Sequence, residues 1–243
     1  MRRCALEYLW NILPTSLNYH QRVSCFVDGC YSKNTILVYK PYILYSLALI
    51  ATEYQLIAIL PLLYYYIAQW PIDWITDGVP PSAMETSCRG APDNSRYLLP
   101  QTHTLKILAG REKLIRMRES KVFNFMEDFT ISGTTLDFPT LGCDGEKKEA
   151  GVTCFEWLMR VWFIMNRDGF ISRPSALDIM NMKQWMELQD YCCGACGRRV
   201  MKYMLKGRDC VWEDIPRTFG HGSWDTVIGE QREVEGRFGA VIR

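Results

Sequence analysis

The chain has 243 residues, 48% hydrophobic and 23% charged, a balance that suits one large or two small globular domains with a buried core. A net charge of +1 gives no electrostatic case for nucleic acid or for an anionic membrane surface. The N-terminus, MRRCALEYLW, is broken by Glu7 and lacks a small-residue cleavage site, so it does not read as a signal peptide. Ten cysteines then read as reduced thiols of an intracellular protein, in cytoplasm or nucleus.

In chain order, residues 4–13 set Leu6, Leu9, Trp10 and Leu13 at helical spacing and stop at Pro14. A polar, irregular stretch follows over Thr15–Asn34. Tyr42–Trp70 is the most apolar segment, with its charge confined to Glu53. Its uncharged part, 54–72, is about long enough to cross a bilayer. Pro61 interrupts it, and the residue before a proline is pushed out of the helical region. The expectation is a helix at 42–54, a turn through Gln55–Leu60, and a new helix opening at Pro61. Pieces that short belong in a core. A membrane anchor through 54–72 is the alternative, which the missing Lys/Arg asymmetry of the flanks disfavours.

Asp77–Pro100 is rich in Pro, Gly and Ser and reads as a flexible loop. Beyond it the pattern predicts a long amphipathic helix capped by Thr104, with Leu105, Leu108, Ile115, Val122 and Phe125 as its apolar stripe. Arg111, Glu112, Lys113, Arg116, Arg118, Glu119 and Lys121 form the opposite, solvated face. Residues 130–151 read as a second irregular connection. Thr153 and Glu156 have capping-box spacing and open an apolar helix that ends near Asp168-Gly169. Pro174-Ser175 begin another, with Leu177, Met180, Trp185 and Leu188 on one face. After the cysteines at 192–196 a further helix runs past Gly207 and ends or restarts at Pro216. Phe219, Gly220 and Trp224 suggest a compact helical cap, and the chain from about 230 reads as frayed. No stretch alternates as a strand would. The fold class is mainly α, an irregular multi-helix bundle with long loops, divided as 1–76, 77–101, 102–230 and a 231–243 tail.

The cysteines hold the one constellation suited to a ligand. Cys193-x-x-Cys196 has a zinc-ligand spacing, because two thiolates on a tight turn reach one tetrahedral ion, and Gly194 and Gly197 ease such a turn. Cys143 and Cys154 bracket the connection 144–153 and supply a second pair, with Cys192 able to stand in for Cys193. Four thiolates make a closed site for one structural zinc, with no open position for catalysis. The competing reading is that these are small buried hydrophobes. A thioredoxin-like role for CCGAC needs a βαβ setting that the pattern lacks.

His20, His103 and His221 lie in or near irregular segments and read as polar surface, without a dyad context. Asp137, Asp144, Glu146 and Glu149 stand among lysines and read as a solvated loop. The glycines form neither a phosphate loop nor a dinucleotide fingerprint. No catalytic residues, enzyme activity or small-molecule substrate are expected.

Four segments, in order, resemble fungal proteins that contain a BTB/POZ domain. RRCALEYLWNILPTSL is similar to the stretch just after the BTB fold, and LALIATEYQLIAILPLLYYYIA to the family's next helix pair, with Ile50, Thr52 and Tyr54 where polar residues are usual. ILAGREKLIRMRESKVFNF is similar to its following helix. CCGACGRRV and VWEDIPRTFGHGSW are similar to its ending, with His221-Gly222 in place of Leu-Pro. The resemblance implies a non-catalytic interaction module, the helical region behind a BTB core, with that core outside these residues and a protein partner it does not identify.

Overall fold

The computed structural model describes residues 41–80, 96, 98–125, 154–179 and 192–241. Seven α-helices are present among them: α1 (Pro41–Glu53), α2 (Leu60–Ile67), α3 (Ile72–Thr76), α4 (Gln101–Met117), α5 (Cys154–Arg167), α6 (Gly194–Thr218) and α7 (Trp224–Val241). The described residues contain no strand, and the fold is mainly α. The expected helix at 4–13, the polar stretch 15–34, most of the 77–100 loop and the connection 130–151 lie outside the described residues. So do Thr153, Met180, Trp185 and Leu188.

The chain forms two compact units: residues through Lys113 together with Glu213 onward, and Leu114–Trp212. Both boundaries fall inside helices, α4 and α6.

In the first unit the apolar stretch breaks where its chemistry requires. α1 ends at Glu53, and the chain turns back through a backbone motif in which the Leu56 N–H donates to the Ala51 carbonyl (2.7 Å) and the Gln55 N–H to that of Thr52 (3.2 Å). Gln55 takes the left-handed conformation this requires, φ 52°. A single 3-10 turn, Ile57–Ile59, leads into α2, where Pro61 occupies the first helical turn and its missing N–H goes unneeded. All eight residues of α2 are buried, which makes it the centre of this unit. Just past its end, the carbonyls of Ala68 and Trp70 accept from the Arg111 guanidinium. α7 packs on the 3-10 turn, and its buried Gln231 accepts the Ala58 N–H at 3.4 Å. Among the described residues no helix is long and apolar enough to cross a membrane.

Several local expectations are corrected. α4 begins at Gln101, not at Thr104, whose hydroxyl instead donates back to the Pro100 carbonyl at 3.5 Å. Its buried side runs through His103, Ile107, Gly110, Leu114 and Arg118, while Leu105 is 59% exposed. Pro174-Ser175 form a turn rather than a helix start. α6 continues through Pro216 to Thr218, because a proline in the last turn forfeits only one helical N–H donor. The tail expected to fray from about 230 is helical to Val241; Ser223 caps α7 by accepting the Thr226 N–H at 3.2 Å.

The second unit is organised around Arg118, placed by the sequence pattern on the solvated face yet fully buried. Helix α4 relaxes here into a wider π turn, Arg118–Val122, and the Phe123 N–H donates to the Arg118 carbonyl at 3.0 Å. The guanidinium lies over the rings of Phe170 (4.6 Å) and Phe123 (5.2 Å) and donates to the carbonyl and hydroxyl of Ser175. α5 and α6 both close with the same motif as α1. In α5 it is built on Gly169 (φ 64°), with Phe170 N–H to Met165 carbonyl at 2.8 Å. In α6 it is built on Gly220 (φ 81°), with His221 N–H to Pro216 carbonyl at 2.9 Å.

Candidate metal centre

α5 and α6 each have a cysteine at or just before their first residue, and those beginnings meet in the second unit. Cys154 opens α5, Cys193 precedes the first residue of α6, and Cys196 lies in its first turn. The three sulfurs all lie within 4.8 Å of one another. Cys193 and Cys196 are buried; Cys154 is half-buried.

Backbone donors fix the arrangement. The Cys193 N–H donates to the Cys154 sulfur at 3.2 Å, which ties the two helix starts together. The Cys196 N–H donates to the Cys193 sulfur at 3.5 Å, so Cys193 caps α6 in the way a serine or aspartate would. The first helical bond of α6, Gly197 N–H to Cys193 carbonyl, measures 3.0 Å. A helix N-terminus carries positive partial charge, which favours an anionic ligand set. Arg198 adds to this: its guanidinium folds back over Gly194, 3.2 Å from where a Cβ would stand.

The donor set fits zinc. With Zn–S bonds of about 2.3 Å, the edges of an S-ligated tetrahedron are about 3.8 Å. The three sulfurs, all within 4.8 Å of one another, lie about 1 Å or less beyond that spacing. Of the four residues named from sequence, three come together: Cys154, Cys193 and Cys196. Cys143 lies outside the described residues. Cys192, the suggested substitute for Cys193, is buried but does not belong to the cluster.

Comparison of the chain with protein-family models, with curated proteins and with solved structures finds no match in any of the three.

The first unit holds a polar network that the sequence reading missed. His103, read as polar loop surface, is a buried helical residue. Its Nδ1 lies 2.6 Å from the Tyr64 hydroxyl and its Nε2 3.5 Å from the Thr52 hydroxyl. Tyr64 also meets the rings of Phe219 and His221, at 5.7 and 6.2 Å between centroids. Burial pushes the Tyr64 phenol up to about 12. Burial, and then the charge of Lys106, hold both His103 and His221 below the ordinary imidazole value. Tyr64 is 2% exposed and packs in the core, while Thr52 lies at the surface. A signal was present in the stretch LLYYYI, since a tyrosine in an otherwise apolar helix needs a buried partner for its hydroxyl.

Proposed function

We propose that this protein is a non-catalytic helical module whose second unit is fastened by one structural zinc ion on Cys154, Cys193 and Cys196. The mutual approach of three sulfurs at two helix starts carries this reading. Without a metal, the tie between the two helix starts includes the single hydrogen bond from the Cys193 N–H to the Cys154 sulfur. A metal shared by their first turns adds binding free energy that exists only in the folded state. The buried ligands, hydrogen-bonded through backbone N–H groups, suit a site that holds structure. Elemental analysis of protein purified without added metal tests it. One zinc per chain is expected, lost in the Cys193→Ser/Cys196→Ser double variant together with several degrees of thermal stability. A metal-free chain as stable as one refolded with zinc refutes it.

The exposed side of α5 favours a second role for the same module, contact with another protein. Met159, Phe163 and Ile164 are 37%, 62% and 46% exposed, an apolar strip on a helix that otherwise faces water with charge. This is the behaviour that the resemblance to the helical region of BTB-type proteins implies. Affinity capture from cell extract with the parent chain, against Phe163→Glu/Ile164→Glu, tests it. A protein retained by the parent and lost with the variant supports the reading; identical profiles refute it.

A further inference from the structure

The three thiols differ in one respect that matters for chemistry. Cys193 and Cys196 are 4% and 5% exposed, whereas Cys154 is half-buried. Its sulfur already accepts the Cys193 N–H, a donor that stabilises negative charge on sulfur, and both other sulfurs lie within 4.8 Å. A thiol with two others this close, once oxidised by peroxide, has a partner at hand to close a disulfide.

We propose that Cys154, Cys193 and Cys196 form a peroxide-sensitive zinc switch, in which oxidation joins Cys154 to one of the α6 thiols and releases the metal. The inference rests on the zinc reading for the release step, though the pairing of the thiols stands on the geometry alone. In the first step the Cys154 sulfur attacks one oxygen of hydrogen peroxide. The O–O bond breaks, and the departing hydroxide takes a proton from solvent to become water. Cys154 is left as a sulfenic acid. The sulfur of Cys193 or Cys196 then attacks the Cys154 sulfur; an S–S bond forms, the S–O bond breaks, and a second hydroxide leaves as water. Two electrons have passed from two thiolates to peroxide. The zinc keeps one of its three sulfurs and dissociates. A dithiol reductant reverses the oxidation, and added zinc restores the site.

A functional consequence follows from position. The metal fastens the starts of α5 and α6, and α5 carries the exposed Met159, Phe163 and Ile164. Exchange of a three-sulfur anchor for a single S–S bond frees Cys193 or Cys196 and alters the restraint on this end of α5.

The test uses the full chain in a Cys210→Ser background, since Cys210 is an exposed thiol that would report oxidation of its own. Zinc is measured before and after stoichiometric hydrogen peroxide with a colorimetric chelator. Digestion and mass spectrometry locate any disulfide. The expected result is release of one zinc per chain, in step with a cross-link between the peptide of Cys154 and that of Cys193 and Cys196. Cys154→Ala should abolish the cross-link whatever it does to metal content. Zinc that stays bound while Cys210 of the parent chain is oxidised overturns the switch and leaves the structural site standing. A chain purified without zinc that still forms the cross-link overturns the metal reading and supports the thiol pair. No zinc and no cross-link overturn both.

Discussion

Gly207 lies in the middle of α6, where glycine costs about 0.8–1.0 kcal/mol relative to alanine in helix propensity. Replacing it with alanine should therefore stabilise the protein, unless the space is taken. It is taken by backbone. A Cβ at this position would overlap the Lys121 carbonyl oxygen, lie 2.6 Å from the Lys121 carbonyl carbon, and 2.8 Å from the Val122 Cα. Non-bonded carbons rest at about 3.5–4.0 Å, so the π turn and α6 would have to part by about 1 Å. Neither neighbour can rotate aside as a side chain would. The cost belongs at the upper end of the roughly 1–3 kcal/mol typical of overpacking, less the gain in propensity, for a net loss of about 2 kcal/mol. At roughly 2–4 °C per kcal/mol for a chain of this size, Tm should fall by about 4–8 °C. Gly229 in α7 provides the contrast, for a Cβ there meets nothing within 4 Å. Gly229→Ala should raise Tm by about 2–4 °C through propensity alone. Thermal melts followed by far-UV circular dichroism, with urea midpoints as a check, read both variants. If Gly207→Ala melts at or above the parent while Gly229→Ala behaves as expected, the close approach of α6 to the π turn is wrong.

Gln55→Gly should stabilise the protein by about 1 kcal/mol, because a left-handed residue with a side chain costs roughly 1–2 kcal/mol and glycine gives part of that back as chain entropy. A drop in urea midpoint for this variant would contradict the turn at the end of α1. Acid should destabilise the first unit. His103 and His221 have folded pKa values below those of the unfolded chain, so the unfolded state binds protons first as pH falls. Stability is full above about pH 6.5, the ordinary imidazole value, and is lost on acidification until the folded groups also protonate. Tm measured from neutral pH down to about 5 should decline, and His221→Gln should flatten part of the slope; a parent Tm that holds steady or rises refutes the burial of these rings.

How far the fold was legible depended on how local each signal was. The division of the apolar stretch at Leu60-Pro61 could be read from proline chemistry, which acts on adjacent residues. The end of α5 at Gly169 was legible for the same reason, and so was the zinc-like spacing of Cys193 and Cys196. The Gln55 turn was placed correctly, but its left-handed residue carried no glycine to mark it. Helical periodicity showed α4 to be a helix yet pointed to the wrong stripe: Leu105 faces solvent and Arg118 is buried. A guanidinium enters a core only where rings and carbonyls receive it, and Phe170 and Ser175 come from a distant part of the chain.

By itself, then, the amino-acid sequence determined the helical class of the protein, the break between α1 and α2 and the end of α5, and the thiols available for a metal. Those follow from steric and hydrogen-bonding rules that span a few residues. Tertiary structure alone decided which helix faces are inside, why Gly207 has to be a glycine, and that Cys154 meets Cys193 and Cys196. Each of these depends on groups brought together from separate segments, whose distances no spacing along the chain encodes.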